Sequence, residues 1–427
     1  MNKILDKLGF DKRTLITFLV IVTNSQLIYS TNIQNGALYE PFREALGVTN
    51  TELGILLSIT GFIGMYGNIA FGWLQDRFSC RSVLSVNSFL FGSAAIFLAV
   101  TPQQPFWSLM LVYVGFGLFG EALYWPSVLK SVRATASETN QATAFGFMES
   151  IRGMWAFITA SISLAIFTML GSTTFGLKVS LGVMGLIVLA SAISVWFCVP
   201  EEQLIKSEHK NKIAFTGLIK AAKMPEVWLT GIGAGCIYAT FIALNTYFVP
   251  YLQNVYLLPI TLAGVFAIVN STAIKFIIAP VSGLVADLKF KSSAHLMRVG
   301  FLALVVLFGI TIMIPKSPSL VIPTMIVLML VTVACYFVRS IYYAPIGEME
   351  VPVEMGAAAM SVAAFIGYSP NFWAPPAFGY MIDKFGNETA YTIIFSLLVV
   401  LSIVGAITNT MVGKKIVKIR AAKAVKE

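Results

Sequence analysis

Twelve apolar stretches recur along this chain, each long enough to cross a bilayer as a helix, and no other feature narrows the possible folds so far. They fall near residues 14–38, 52–72, 82–100, 106–130, 141–167 and 177–199, then near 226–250, 260–282, 294–314, 320–344, 355–380 and 388–412. The hydrocarbon core is about 30 Å thick and a helix rises about 1.5 Å per residue, so about 20 apolar residues make one crossing. A spanning barrel would need strands of about 10 residues with strict polar alternation, and that pattern is absent from the sequence. Of the 427 residues, 57% are hydrophobic and only 11% charged, against roughly 25% charged in soluble domains. The expected fold is an all-α integral membrane protein of twelve transmembrane helices in two pseudo-symmetric six-helix bundles.

A polar, lysine-rich stretch, EEQLIKSEHKNK, separates the two sets of six. The organisation read from this is an N-terminal segment 1–13, a first bundle 14–199, a linker 200–224, a second bundle 225–412 and a tail 413–427. Positive charge sets orientation, because basic loops stay on the cytoplasmic side. With the N-terminus inside, 22 of the 29 Lys and Arg residues fall in cytoplasmic segments, four on the other side and three within spans. Both termini are therefore expected in the cytoplasm, with the protein in the inner or plasma membrane. The opening MNKILDKLGFDKRTL is charged and leads into the first span without a small-residue cleavage site, so it does not read as a signal peptide. The net charge of +9 is a topology signal, and nothing supports a nucleic-acid partner. Four scattered cysteines and two histidines in connecting segments offer no disulfide framework, metal cluster or cofactor site.

The two halves look alike at one place. GWLQDRFSCRS follows the second span and GLVADLKFKSS follows the eighth, which is the second of its half. Each reads G-x-x-x-D and then a basic or aromatic cluster. The glycine lets two helices approach, and the aspartate can cap a helix or pair with a basic group across the turn. In this layout the chain resembles a major facilitator superfamily transporter. Gly72, Asp76, Arg77 and Arg81 match that family's loop motif, with Ser79 where a second glycine is common; the second copy keeps Gly283 and Asp287 and has Leu288 in place of the arginine. The resemblance implies two six-helix bundles around a central cavity that opens alternately to either side, and a working monomer. RSIYYAPIGEMEVP with the later GYSP is similar to family members that carry sugar phosphates or organic anions. The arginines on the first and seventh helices of the organophosphate exchangers have no counterpart here.

Three cations lie inside spans, where a charge costs at least a few kcal/mol and faces the protein interior or a water-filled cavity. Lys275 sits near the middle of the eighth span in NSTAIKFIIAPVSG, a helix with no acid of its own. Arg152 follows Glu149 at i, i+3 on the fifth span, and Glu121 on the fourth lies at a comparable depth. That trio reads either as a structural ion pair or as a proton site, with Glu121 the preferred carrier because no basic residue lies within one turn of it. Arg339 stands near the cytoplasmic end of the tenth span, as a substrate contact, a gate or a snorkelling anchor.

Polar residues mark the interior faces. The first span carries Gln26, Tyr29 and Asn32, and the seventh Asn245 and Tyr247, too many hydrogen-bonding groups for lipid. The eleventh span holds Pro370, Pro375 and Pro376, which kink a helix, beside Tyr368 and Asn371. The expected substrate-binding residues are Lys275, Arg152, Gln26, Tyr29, Asn32, Asn245, Tyr247, Arg339, Tyr368 and Asn371. Glu121 and Glu149 are the expected proton-coupling residues. Together they predict secondary transport of a small organic anion, a carboxylate, sugar phosphate or sulfonate, with a proton or counter-anion as the coupled species. A zwitterion such as an amino acid is the alternative, its carboxylate on Lys275 and its ammonium on a glutamate. Drug export fits three cations poorly. An intramembrane enzyme would need a nucleophile–base pair or metal motif, and none is present.

Overall fold

The computed structural model describes residues 12–33, 36, 38–71, 78–135, 141–201, 219–285, 292–349 and 353–424. Each of the twelve apolar stretches contains helix, and the chain divides into two compact units, Met1–Glu208 and His209–Glu427. Among the described residues nine helices are long and apolar enough to cross a membrane, and a tenth is formed if Tyr39–Leu46 and Asn50–Gly67, bent by 98°, count as one span. Of the other two stretches, the eighth is helical without a gap over 260–285, with a π turn inside it, and the eleventh is broken in two.

The first span departs from the expected helix over 14–38. It is α-helical over Lys12–Leu27, tightens to a 3₁₀ turn at Ile28–Thr31 and leaves helical geometry at Asn32. The Ser25, Ser30 and Thr31 hydroxyls each donate to the carbonyl three residues back, at 2.6, 2.6 and 3.2 Å. Such side-chain bonds compete with the helical ladder. A short helix, Tyr39–Leu46, follows and ends at Gly47, whose φ of +68° is a left-handed C-cap. The second span then opens with a reciprocal capping box: the Glu52 amide donates to Thr49 Oγ1 (3.1 Å) and the Thr49 amide to Glu52 Oε2 (2.8 Å).

Three spans contain π-helical turns, at Gly117–Ala122 in the fourth, Ala243–Tyr247 in the seventh and Val269–Ala273 in the eighth. Each widens the helix locally and redirects the side chains around it. The eleventh span breaks at Tyr368–Ser369, between helices Val353–Gly367 and Pro370–Phe385. The break stands immediately before Pro370, which has no N–H to carry the helical ladder on, while Ser369 itself keeps right-handed helical angles, φ −54° and ψ −30°. Pro375 and Pro376 remain inside the second of these helices.

Within the first unit the third and sixth spans pack most extensively, and within the second unit the ninth and twelfth do. Small residues permit the approach. A Cβ on Gly185 of the sixth span would lie 2.6 Å from Ile96 of the third, and one on Gly405 of the twelfth would run into the Phe301 ring of the ninth. Outside these seams large apolar side chains stand exposed, among them Trp107, Phe175, Phe197, Met313 and Ile322. So broad an apolar surface is a lipid-facing belt and would be an aggregation hazard in water. Lys316 closes the end of the ninth span by donating to the carbonyls of Thr311 (3.1 Å), Ile312 (3.4 Å) and Ile314 (3.1 Å), a cation at a helix C-terminus as the dipole favours.

Candidate functional site

In the first unit, helix geometry brings together residues that stand far apart in sequence. Glu121 lies in the π turn of the fourth span. Tyr29, on the 3₁₀ turn that ends the first span, stands beside the Glu121 side chain and donates its hydroxyl to the Gly120 carbonyl at 3.1 Å. Gly64 of the second span makes room for the acid: a Cβ there would lie 2.8 Å from Glu121 Cβ. Arg152, on the fifth span, acts on Glu121 through space and pairs with Glu149 at 2.8 Å, the i, i+3 partner its spacing predicts. Its guanidinium lies 4.6 Å from the Trp125 ring centroid, and its Nε is buried with no hydrogen-bond partner. A carboxylate, a guanidinium and a phenol thus share one site.

Behind this site a second network is structural. Asn24 donates to Ser88 Oγ (3.0 Å) and Ser191 Oγ (2.8 Å) and accepts from the Tyr124 hydroxyl, tying the first, third, fourth and sixth spans. Trp155 donates to Thr23 Oγ1 at 3.0 Å and joins the fifth span to the first. Gln26 and Asn32 are half-buried, and Asn32 closes the 3₁₀ turn by donating its amide to the Tyr29 carbonyl.

The second unit gathers its own group around Arg339. The guanidinium carbon lies 3.8 Å from the Phe241 ring centroid and 5.7 Å from that of Tyr238, both on the seventh span. Its Nε is buried without a hydrogen-bond partner, and no described carboxylate forms an ion pair with it. Tyr336, one turn earlier on the tenth span, donates to the Ser271 carbonyl of the eighth at 3.1 Å and stands beside the Asn245 side chain. The Asn245 amide also reaches back to the Phe241 carbonyl at 2.8 Å within the π turn. Lys275, half-buried, stands about one turn beyond Ser271, and Arg339 stands the same step beyond Tyr336. The Tyr336–Ser271 bond therefore ties together the two spans that carry these cations, Lys275 four residues beyond Ser271 and Arg339 three beyond Tyr336. Tyr368, at the break in the eleventh span, completes the group: its hydroxyl lies 3.0 Å from that of Tyr342, and its ring packs edge-on to Tyr238 at 5.0 Å.

Two of the expected ligand residues stand apart from this group. Tyr247 is 1% exposed, donates to the Pro375 carbonyl at 2.9 Å and packs edge-on against Phe378. Its hydroxyl is consumed in joining the seventh span to the proline-bearing part of the eleventh. Asn371 is half-buried beyond the break, its amide bonded to the Tyr368 carbonyl at 3.0 Å.

A model of the Major Facilitator Superfamily matches residues 15–375. The chain belongs to that superfamily. Among curated relatives of this transporter is the inner membrane protein YihN of Escherichia coli, 28% identical over 395 residues, covering 91% of this chain and 93% of that protein. The inner membrane protein YqcE of the same organism is 23% identical, covering 82% and 83%. Among solved structures, a bacterial homologue of the human lysosomal transporter Spinster, inward-facing and unoccupied, has a TM-score of 0.78 at 15% identity over 96% of this chain and 99% of its own. The nucleoside transporter NupG has a TM-score of 0.72 at 12% identity, over 93% of this chain and 99% of that one. The protein is thus a multi-pass membrane transporter, and the distant structures speak to its fold alone.

Of this transporter's loop motif, Gly72, Asp76, Arg77 and Asp287 lie outside the described residues, and Gly283 lies in the helix Ile274–Val285. Arg81 is placed at the start of the third span, where Nη2 meets Glu201 Oε2 at 2.7 Å and the guanidinium lies over Trp196 at 4.7 Å. Ser79, in the position where the family often has glycine, caps that span by accepting from the Ser82 amide at 3.2 Å. Among the described residues no three metal-ligating side chains come together. Sequence reasoning missed Phe241, Tyr336, Tyr342, Trp125 and Gly64. A Tyr or Phe in an apolar span carries no local mark of the cation it will face, and only the density of tyrosines around Arg339 was there to be noticed.

Proposed function

We propose that this major facilitator superfamily transporter moves a small organic anion across the inner or plasma membrane by alternating access, with both termini in the cytoplasm. The observation that carries the reading is Arg339: a half-buried guanidinium packed against the Phe241 and Tyr238 rings, with its Nε unpartnered and no described carboxylate paired to it. A cation within a span is tolerated when it faces a partner or a cavity, and a substrate anion supplies the missing charge. Lys275 on the neighbouring span adds to the same field. The Glu121–Tyr29–Arg152 group supports coupling to protons, because protonating Glu121 changes both what Tyr29 can donate to and what charge Arg152 faces. Arg152 and Glu149 then belong with coupling at least as much as with substrate binding.

Thermal unfolding of the purified protein tests the reading, with lactate, succinate, glucose 6-phosphate, a sulfonate and alanine as probes on wild type and Lys275→Ala. An acid that stabilises wild type and fails on the variant supports an anion site. Alanine stabilising both equally, with no response to any acid, refutes it. That second outcome would favour the zwitterion reading, which the half-buried Glu121 independently allows.

A further inference from the structure

Resting on the anion reading, we infer that the Arg339 site takes an anion carried on a six-membered ring with an apolar face, a planar arene or a chair pyranose, and that Tyr238, Phe241, Tyr342 and Tyr368 select the ring. The argument begins with the cation. The guanidinium carbon stands over the Phe241 ring, 3.8 Å from its centroid, a distance that fits stacking of the guanidinium on the ring. A face covered in this way leaves the in-plane edge as the approach for an acid group, and that edge is the geometry in which arginine binds carboxylate or phosphate through two parallel bonds. Nε itself is buried with no hydrogen-bond partner in the fold.

What surrounds that edge is aromatic to an unusual degree. Tyr238 packs with Phe241 at 5.3 Å and edge-on with Tyr368 at 5.0 Å, and Tyr342 stacks on Tyr343 at 4.0 Å. Tyr343 is committed to the helix seam behind, where its hydroxyl presses on Gly367. Tyr238, Phe241, Tyr342 and Tyr368 are only half-buried, so each keeps ring surface uncovered within its own unit. Rings held apolar on their faces and polar at their tips fit a ligand with an apolar face and a polar rim. A short acyclic acid would satisfy the arginine and leave those faces wet. The Tyr342–Tyr368 hydroxyl pair, 3.0 Å apart, supplies polar contacts to a ring's substituents.

Three spans contribute these residues, and the break before Pro370 is what places Tyr368 beside Tyr342. The seventh-span pair, Tyr238 and Phe241, lies at i, i+3 on one face. The selecting surface is therefore a property of the second unit's own packing.

The test uses the full chain in detergent and reads thermal stabilisation against concentration for benzoate and glucuronate as ring anions, with lactate and succinate as acyclic ones. The variants are Arg339→Met, Tyr238→Leu and the milder Tyr368→Phe. Wild type should bind at least one ring anion more than tenfold tighter than either acyclic acid. Tyr238→Leu should shrink that preference at least fivefold while the acyclic acids are unchanged, and Arg339→Met should abolish binding of all four. Should Tyr238→Leu fail to fold, Tyr368→Phe carries the test, with a smaller loss confined to the ring anions. Benzoate against glucuronate separates arene from pyranose. Lactate or succinate binding as tightly as the ring anions, still dependent on Arg339, overturns the ring inference and leaves the anion reading standing. Equal stabilisation of wild type and Arg339→Met, or no stabilisation by any probe, overturns both.

Discussion

Gly367 and Tyr343 meet where the eleventh span packs against the seventh and tenth, and this contact makes a quantitative prediction. A Cβ added to Gly367 would stand 2.5 Å from the Tyr343 hydroxyl oxygen and 2.9 Å from Ala234 Cβ. Ordinary contact begins near 3.4 Å, so Gly367→Ala forces a shift of roughly an ångström, and overpacking of this kind costs about 1–3 kcal/mol. Tyr343 stacks on Tyr342 at 4.0 Å, so the displacement passes to the ring beside Arg339. Deleting the offending hydroxyl relieves the shorter of the two overlaps. Tyr343→Phe alone should be nearly neutral, since that hydroxyl is buried with no hydrogen-bond partner. In the double variant it should recover about half of the loss, a coupling of about 1 kcal/mol. Recovery stays partial because the Ala234 contact remains. Thermal midpoints of the four proteins, purified in one detergent, give the cycle. Additive effects, or Gly367→Ala as stable as wild type, would refute the packing argument.

Three further outcomes follow from other contacts. Asn24→Ala strips the buried hydroxyls of Ser88, Ser191 and Tyr124 of a shared partner; it should destabilise the protein by about 1–3 kcal/mol, read as a lowered thermal midpoint with the helical circular dichroism retained. Glu121→Gln keeps the size and hydrogen bonding of the side chain and removes its charge, so proton-driven uptake in vesicles should fall more than tenfold while exchange of labelled for unlabelled substrate persists; undiminished driven uptake would exclude Glu121 as the coupling residue. Burial holds the Lys316 ammonium below the usual lysine range, with Glu388 opposing the shift. The unfolded chain therefore binds the extra proton between the lowered value and about 10.4, and stability should rise with pH through that window. Lys316→Met should flatten the rise, and an unchanged pH slope in thermal unfolding would contradict this.

Local information determined a good deal on its own. Apolar runs of about 20 residues gave the helices, because length and hydropathy are properties of a segment and the bilayer is indifferent to what lies beside it. Helical spacing alone put Glu149 and Arg152 on one face, and the prolines alone marked the eleventh span as bent, though not that the break would fall before Pro370 and leave Pro375 and Pro376 inside a helix. The first span shows the limit of such reasoning. Its polarity marked it as interior, but the 3₁₀ turn that presents Tyr29 depends on hydroxyl-to-carbonyl bonds that hydropathy does not register.

Tertiary structure decided the rest. Glu121 meets Tyr29 across 92 positions of sequence, and Gly64 clears the space for it. Arg339 stands in the last turn of its helix, as its position in the span suggested, and only the fold shows the Phe241 and Tyr238 rings of the seventh span beside it. Tyr247 looked like a ligand residue and proved to be bonded to Pro375. No sequence pattern announced the three π turns beneath Glu121, Asn245 and Lys275, since such turns arise where neighbouring helices compensate the disturbed ladder. The physical reason is common to all of these. A segment's apolarity and period determine that it crosses the membrane, whereas the partner of a buried charge is set by which helices pack beside it, and that is written only in the assembled fold.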